Sequence, residues 1–414
     1  MPTNPKSTIR VLHFADAHID MANYGRHDGE TMLPVRVMDF LRALDQIVDR
    51  AISEPVDLVI FAGDAYKDRN PHPTFQRAWG ERMMRLSNAG ISTLLLVGNH
   101  DVSPAAGRAH AIQEFDTLAV PHILVADKLR LFGPAELGLP VQVLAVPWVS
   151  RHAMMTREES AGKSLDELLT EIETRVGEGI NRLLDAADPG LPLILAAHAS
   201  VQGARYGSER AVMLGHELTL SGSVVTDRRL DYVALGHIHQ HQCLNIGGQP
   251  PVVYPGSIER IDFGEERERK GFVLADIRRG HTDWQFVPVK TRPMHTFSPD
   301  TPSADTFMAD ILSQLPPAED VSDAICRVVL SYPRDWEPLL DENAIAERFK
   351  NALNFHIVKR TFAENRSRLG DTVAVESLTP EELLAQYWLS IGLDEAEAEA
   401  MQTLAREILV LPTT

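Results

Sequence analysis

Residues 56–66, VDLVIFAGDAY, decide how this chain is read. A short apolar run of the kind that forms a buried strand stops at a glycine, and an acid, Asp64, follows at once. The same construction stands on either side. STIRVLHFADAH (7–18) ends on Asp16 and His18, and STLLLVGNHD (92–101) ends on Asn99, His100 and Asp101. Between these runs, Val37, Phe40, Leu41, Leu44, Ile47, Val48 and Ala51 recur at helical spacing, and a second helix is predicted over Thr74–Ser87. The β-α-β-α-β order points to an α/β fold, a largely buried sheet flanked by helices. Further strands are expected at VQVLAVPW, PLILAAH, DYVALGH, PVVYPG, GFVLADI and WQFVPV, more hairpin-like towards Val289.

The chain has 414 residues and a formal net charge of −18. An acidic average excludes a generic basic coat for nucleic acid, so any polyanion must meet a local basic patch or bound metal. Two cysteines, Cys243 and Cys326, lie far apart and suit a reducing compartment. No apolar run approaches a membrane span, and a cytoplasmic protein without a membrane partner is expected. The texture changes after Thr291-Arg292-Pro293. Residues 298–320, rich in Pro, Ser and Asp, read as a linker or loose segment, and a strand-helix-strand unit follows. From Leu378 the pattern is helical, with Thr379-Pro380-Glu381-Glu382 as a capping-box start. The expected divisions are therefore 1–290, 291–377 and 378–414.

The polar residues of interest sit where strands stop. Besides Asp16, His18, Asp64 and Asn99, His198 ends PLILAAH, and His237 and His239 end DYVALGHIH. In open α/β sheets ligands bind beyond the carboxyl ends of the strands. Mixed carboxylate and imidazole donors suit first-row divalent ions. A pair of such ions needs a bridging carboxylate, for which Asp64, alone at its strand end, is the natural choice. The H-x-H spacing sends His237 and His239 to one side of an extended segment, one for each ion. Any one of these blocks arises by chance; all five in order do not. The other eleven of the 16 histidines are read as solvated or packed.

In this order, DxH, GD, GNHD, H and GHxH resemble the calcineurin-like metallophosphoesterase superfamily, whose fold is a β-sandwich flanked by helices. HASVQGARYGSER (198–210), YPGSIERIDFGEERERKGFVLADI (254–277) and TRP (291–293) narrow the likeness to the SbcD-type nuclease family. That family is the bacterial counterpart of the eukaryotic meiotic-recombination and double-strand-break repair nuclease. The resemblance implies Asp16, His18, Asp64 and His239 on one ion and Asp64, Asn99, His198 and His237 on the other, with manganese the expected metal. It also implies His100 facing the scissile phosphate, with Asp101 a candidate to hold its imidazole. The implied activities are 3′ to 5′ exonuclease and single-strand endonuclease. A homodimer, an SbcC-type ATPase partner, a nucleoid-associated location, a DNA-capping domain (291–377) and an ATPase-binding segment (378–414) are implied as well. Lys67 stands three residues after Asp64, where many members carry histidine or an acid, and this leaves the balance of the two activities open.

Two rival readings are weighed. Phosphatases of the superfamily place Asp-Arg three and four residues after the GD aspartate; here Asp68-Arg69 come one residue later, which breaks that signature. A cyclic nucleotide phosphodiesterase belongs with that alternative. A metal-free scaffold would have lost ligands, and all seven are present. Two surfaces complete the expectations. Lys359, Arg360, Arg366 and Arg368 lie in a basic island over 348–368 that suits a phosphate backbone. Leu383, Leu384, Tyr387, Trp388 and Ile391 share a helix face that suits a groove on the partner ATPase.

Overall fold

The computed structural model describes residues 8–102, 108–149, 163–207, 219–362, 384, 387–388 and 395–409. Two compact units emerge. The first comprises Met1–Thr296, Pro316–Arg327 and Arg348–His356; the second comprises Phe297–Leu315, Val328–Glu347 and Ile357–Thr414.

The strands of the first unit are β1 (Ile9–Phe14), β2 (Leu58–Phe61), β3 (Ser92–Leu96), β4 (Ile123–Ala126), β5 (Arg130–Phe132), β6 (Gln142–Val146) and β7 (Leu193–His198). After these come β8 (Ser200–Val201), β9 (Thr219–Leu220), β10 (Tyr232–Gly236), β11 (Gln242–Cys243), β12 (Val252–Tyr254), β13 (Gly271–Arg278) and β14 (His281–Pro288). They form two six-stranded sheets, ordered β14-β13-β1-β2-β3-β4 and β11-β12-β10-β7-β6-β5, with β8 and β9 pairing separately. The β-α-β-α-β order by itself predicts one sheet; the chain builds two, the sandwich that the resemblance implies. The reason is local. β4 and β5 are short strands, of four and three residues, and after them the chain starts a second parallel set at β6, paired to β7 and not to β3.

Side chains alternating along each strand separate three apolar layers. Val11, Ile60, Leu94, Val143, Ile194 and Ala234 meet between the sheets. Phe14, Phe61 and Leu95 face outward under α1 (Val35–Ser53) and α2 (Pro73–Asn88), which supply Phe40, Leu44, Trp79 and Met83. Leu144, Leu195 and Val233 face the helix Leu165–Ala186, which supplies Ile172, Val176 and Ile180. That helix opens on a capping box between Ser164 and Glu167, each satisfying the other's backbone N–H. Full burial of each such side chain contributes about 1.5–3 kcal/mol, enough to fix both sheets in register.

Across the middle layer, His13 on β1 bonds both Tyr232 Oη (3.0 Å) and the Leu235 carbonyl (3.1 Å) on β10. Burial pushes this imidazole down to about 3, so it is neutral, with Nε2–H donating to the carbonyl and Nδ1 accepting from the phenol.

Strands β15 (Met294–Phe297), β16 (Ile325–Pro333) and β17 (Asn354–Phe362) form a third sheet in that order. The segment read as a loose linker holds a helix, Phe307–Gln314, with Phe307 and Ile311 buried. Their i, i+4 spacing is helical; flanking Pro and Ser mask it in composition. Lys359 in the second unit is held between Glu337 and Glu342, 2.7 Å from each. It is therefore neutralised by its own unit and does not stand as the free cation expected. Arg360 is exposed and has no ion pair among the described residues. Arg366, Arg368, Leu383 and Ile391 lie outside the described residues. Leu384 is partly buried, Tyr387 exposed and Trp388 buried, so the three do not form one open face.

Candidate metal centre

Each expected donor stands at the end of a strand or within a few residues beyond it, and the two sheets bring those strand ends to one place. β1, β2 and β3 are neighbours in the first sheet, and they deliver Asp16, His18, Asp64 and Asn99. β7 and β10 are neighbours in the second, and they deliver His198, His237 and His239. The rim is sealed across the sheets by the His237 N–H, which donates to both Asp16 oxygens (3.0 and 3.1 Å). Glycine permits the approach: a Cβ on Gly236 would stand 2.0 Å from the Ala62 carbonyl oxygen, and one on Gly98 would stand 2.1 Å from Asp64 Oδ1.

The backbone turns sharply to aim these side chains. Asp16, His18, Asp64 and His237 all have positive φ (51°, 39°, 65° and 98°). Such geometry costs of order 1–3 kcal/mol per residue and persists only where the surroundings impose it. The Asp101 carboxylate supplies part of that constraint. It accepts from Asp64 N (3.0 Å), Ala65 N (3.0 Å) and Gly98 N (2.9 Å), tying the loops after β2 and β3 together. Asp101 was expected to hold the His100 imidazole; its carboxylate binds these backbone N–H groups instead. His100 Nδ1 instead donates to the Lys67 carbonyl (2.7 Å), which leaves Nε2 for chemistry.

Five of the seven donors fall into two adjoining groups, Asp16-His18-His239 and Asp16-Asp64-His198, and within each group the ligand atoms lie within 4.8 Å of one another. Asp16 is common to both. Asp64, expected as the bridge, also faces both sides: its Oδ2 is 3.8 Å from His18 Nε2 and 3.4 Å from His198 Nε2. Asn99 Oδ1 sits between His198 Nε2 (2.9 Å) and His237 Nδ1 (3.0 Å).

Whether metal fits is decided by the far nitrogens. His198 Nδ1 donates to the Ala62 carbonyl (2.6 Å), His18 Nδ1 to the Tyr66 carbonyl (3.2 Å) and His239 Nδ1 to Glu265 (3.0 Å). Each ring thus turns its Nε2 inward, the orientation that metal-ligating histidines adopt. Charge points the same way. Burial, with the Asp64 charge adding to it, raises Asp16 above the ordinary carboxylate range. Burial opposes ionisation of Asp64 too, but His198, His100 and His18 hold it low. Two buried carboxylates side by side call for cations.

Sequence reasoning missed Glu265. It is fully buried, accepts from His239 and Ile261 N (2.9 Å), and pairs with buried Lys270 at 2.8 Å. Lys270 in turn donates to the His239 carbonyl (3.0 Å). The only signal was its place in a segment already singled out, FGEERERKG, where it looks like one more solvated charge.

The calcineurin-like phosphoesterase family matches residues 9–241, over half the chain and every donor described above. The chain belongs to that family. This phosphoesterase is 27% identical over 327 residues to the D component of the nuclease SbcCD of Escherichia coli K12, covering 76% of this chain and 75% of that one. It is 25% identical over 287 residues to the protein of the same name from Bacillus subtilis, covering 67% and 69%. It is 23% identical over 303 residues to the DNA double-strand break repair protein Mre11 of Archaeoglobus fulgidus, covering 69% and 60%. Both donor groups, candidates for holding a metal ion, lie within the matched residues. Among the described residues, no helix is long and apolar enough to cross a membrane.

Proposed function

We propose that the chain is the nuclease subunit of a DNA double-strand-break repair complex, hydrolysing DNA phosphodiesters as a 3′ to 5′ exonuclease and a single-strand endonuclease. The observation that carries this reading is the convergence of seven expected donors from five strand ends, five of them in two adjoining groups, with His100 beside them and outside both. The names of the bacterial and archaeal relatives support it.

Asp16, His18, Asp64 and His239 would hold one divalent ion and Asp64, Asn99, His198 and His237 the other, with manganese the metal of choice. Bound there, the pair lowers the pKa of water and neutralises charge developing on phosphoryl oxygens. The remaining work belongs to the chain. Asn99 keeps His198 and His237 in line, and Glu265 fixes His239. His100, held through Nδ1 by Lys67, would in its protonated form stabilise the transition state or donate the proton on Nε2 to the leaving oxygen, help typically worth about 10²–10⁴-fold.

Residues 1–290 would form the nuclease domain, 291–377 a DNA-capping domain in which Arg360 meets phosphates, and 378–414 the segment that docks an SbcC-type ATPase. The assembly would be a homodimer. The test is cleavage of hairpin, blunt and single-stranded DNA with manganese, with and without the ATPase, beside a phosphopeptide and a cyclic nucleotide. Cleavage of single-stranded DNA by the chain alone is expected. Hydrolysis of the phosphopeptide or the cyclic nucleotide with intact DNA would overturn the reading.

A further inference from the structure

Trp148 follows β6, and its backbone N–H donates to the Val97 carbonyl (2.8 Å), just ahead of Gly98 and Asn99. Its ring lies 5.1 Å from that of His237, tilted by 40°, and 6.1 Å from that of His198, at 75°. The indole therefore borders the second donor group, and it is only partly buried. It cannot serve as a ligand, because its single polar atom is a donor. A large apolar ring partly open to solvent at the edge of a polar metal centre has no use in holding ions.

We propose that Trp148 is a stacking platform for an unpaired nucleobase next to the phosphate being cut. The inference rests on the nuclease reading and narrows its substrate to strands whose bases are free of a duplex stack. Every base offers a π-face, so such stacking tolerates any sequence. A base inside a duplex has both faces covered, so only single strands and frayed ends can use the platform. A plain phosphoserine peptide has nothing to place there.

The test uses the full chain with manganese and three forms, wild type, Trp148→Leu and Trp148→Phe. The substrates are a single-stranded oligonucleotide and its twins lacking the base on either nucleotide flanking the cleaved bond. For Trp148→Leu, KM for the intact strand should rise roughly 5- to 150-fold, the range of one lost base–aromatic stack. Its kcat and its bound metal should hold. Wild type should bind one abasic twin as poorly as Trp148→Leu binds the intact strand, and Trp148→Leu should no longer distinguish them. Trp148→Phe should restore most of the affinity. Loss of metal, or a fall in kcat at unchanged KM, would show instead a ring that merely props His237 and His198, and overturn the proposal. Equal KM values in all three forms would overturn it too. If wild type cuts no oligonucleotide at all, the nuclease reading itself fails, before any variant is compared.

Discussion

Glu265, wholly buried, takes a hydrogen bond from His239 Nδ1 at 3.0 Å and a salt bridge from Lys270 at 2.8 Å. One carboxylate therefore orients a metal-facing ring and neutralises a buried ammonium. Replacing Glu265 by Gln should weaken the first metal site by about 10–100-fold, as loss of such outer partners does. It should also destabilise the fold, by less than the about 3–5 kcal/mol of a buried pair broken outright, because Lys270 loses Glu265 but keeps Glu268 at 2.7 Å. Metal titration by calorimetry and thermal melts read the two effects separately, and excess manganese should recover activity but not all of the stability.

His100 and Asp64 should divide cleanly. The imidazole of His100 is tied to Lys67 and belongs to neither donor group, whereas Asp64 faces histidines of both. His100→Ala should lose about 10²–10⁴-fold in turnover while keeping two ions. Asp64→Ala should lose turnover and metal together. Elemental analysis of both variants decides it: a His100→Ala protein stripped of metal would refute the assignment.

His13 predicts an acid-sensitive sandwich. Its folded pKa, about 3, lies below the ordinary 6.5, so its contribution is complete above 6.5 and is lost as pH falls from there towards 3. The loss should approach about 1.4 kcal/mol per pH unit inside that window. Melts of metal-stripped protein at pH 6.5, 5.5 and 4.5 should show a steeper decline for wild type than for His13→Gln, which is less stable at neutral pH but carries no titrating ring. Parallel declines would rule His13 out as the sensor.

In the second unit, Arg360 is the cation to test. Arg360→Ala should lower DNA affinity at every sequence and flatten the log–log salt dependence by roughly 0.7–0.9. Lys359→Ala should do much less, since Glu337 and Glu342 already neutralise that ammonium. A larger effect from Lys359 would mean that DNA displaces those acids.

The strands and the strand-end placement of the expected donors were legible because each follows an apolar run, and a buried strand leaves little choice about where its chain emerges. The pairing of strands into two sheets came only with the family resemblance, which implies a β-sandwich, since β-α-β order is the same whether β6 extends the first sheet or begins another. Asp101 was assigned to its neighbour His100 because adjacency is visible in a sequence and three backbone N–H groups are not. Glu265 and Lys270 sat in a run of charges that burial alone distinguishes from a solvated face. The helix Phe307–Gln314 was too short for its periodicity to outweigh its flanks.

β1 pairs on one side with β2 and on the other with β13, over Ile9↔Ile277 to His13↔Val273. A ribosome makes β1 some 260 residues before its second neighbour, so β1 waits with one side unpaired until β13 emerges. His239, the last donor, emerges only shortly before that edge is closed. Chains that stop early thus lack the full donor set while presenting an unpaired strand, the kind of edge that recruits other chains. Premature products of this gene are expected to be inert and prone to clump, and the complete centre arrives only with the strands that finish the sandwich.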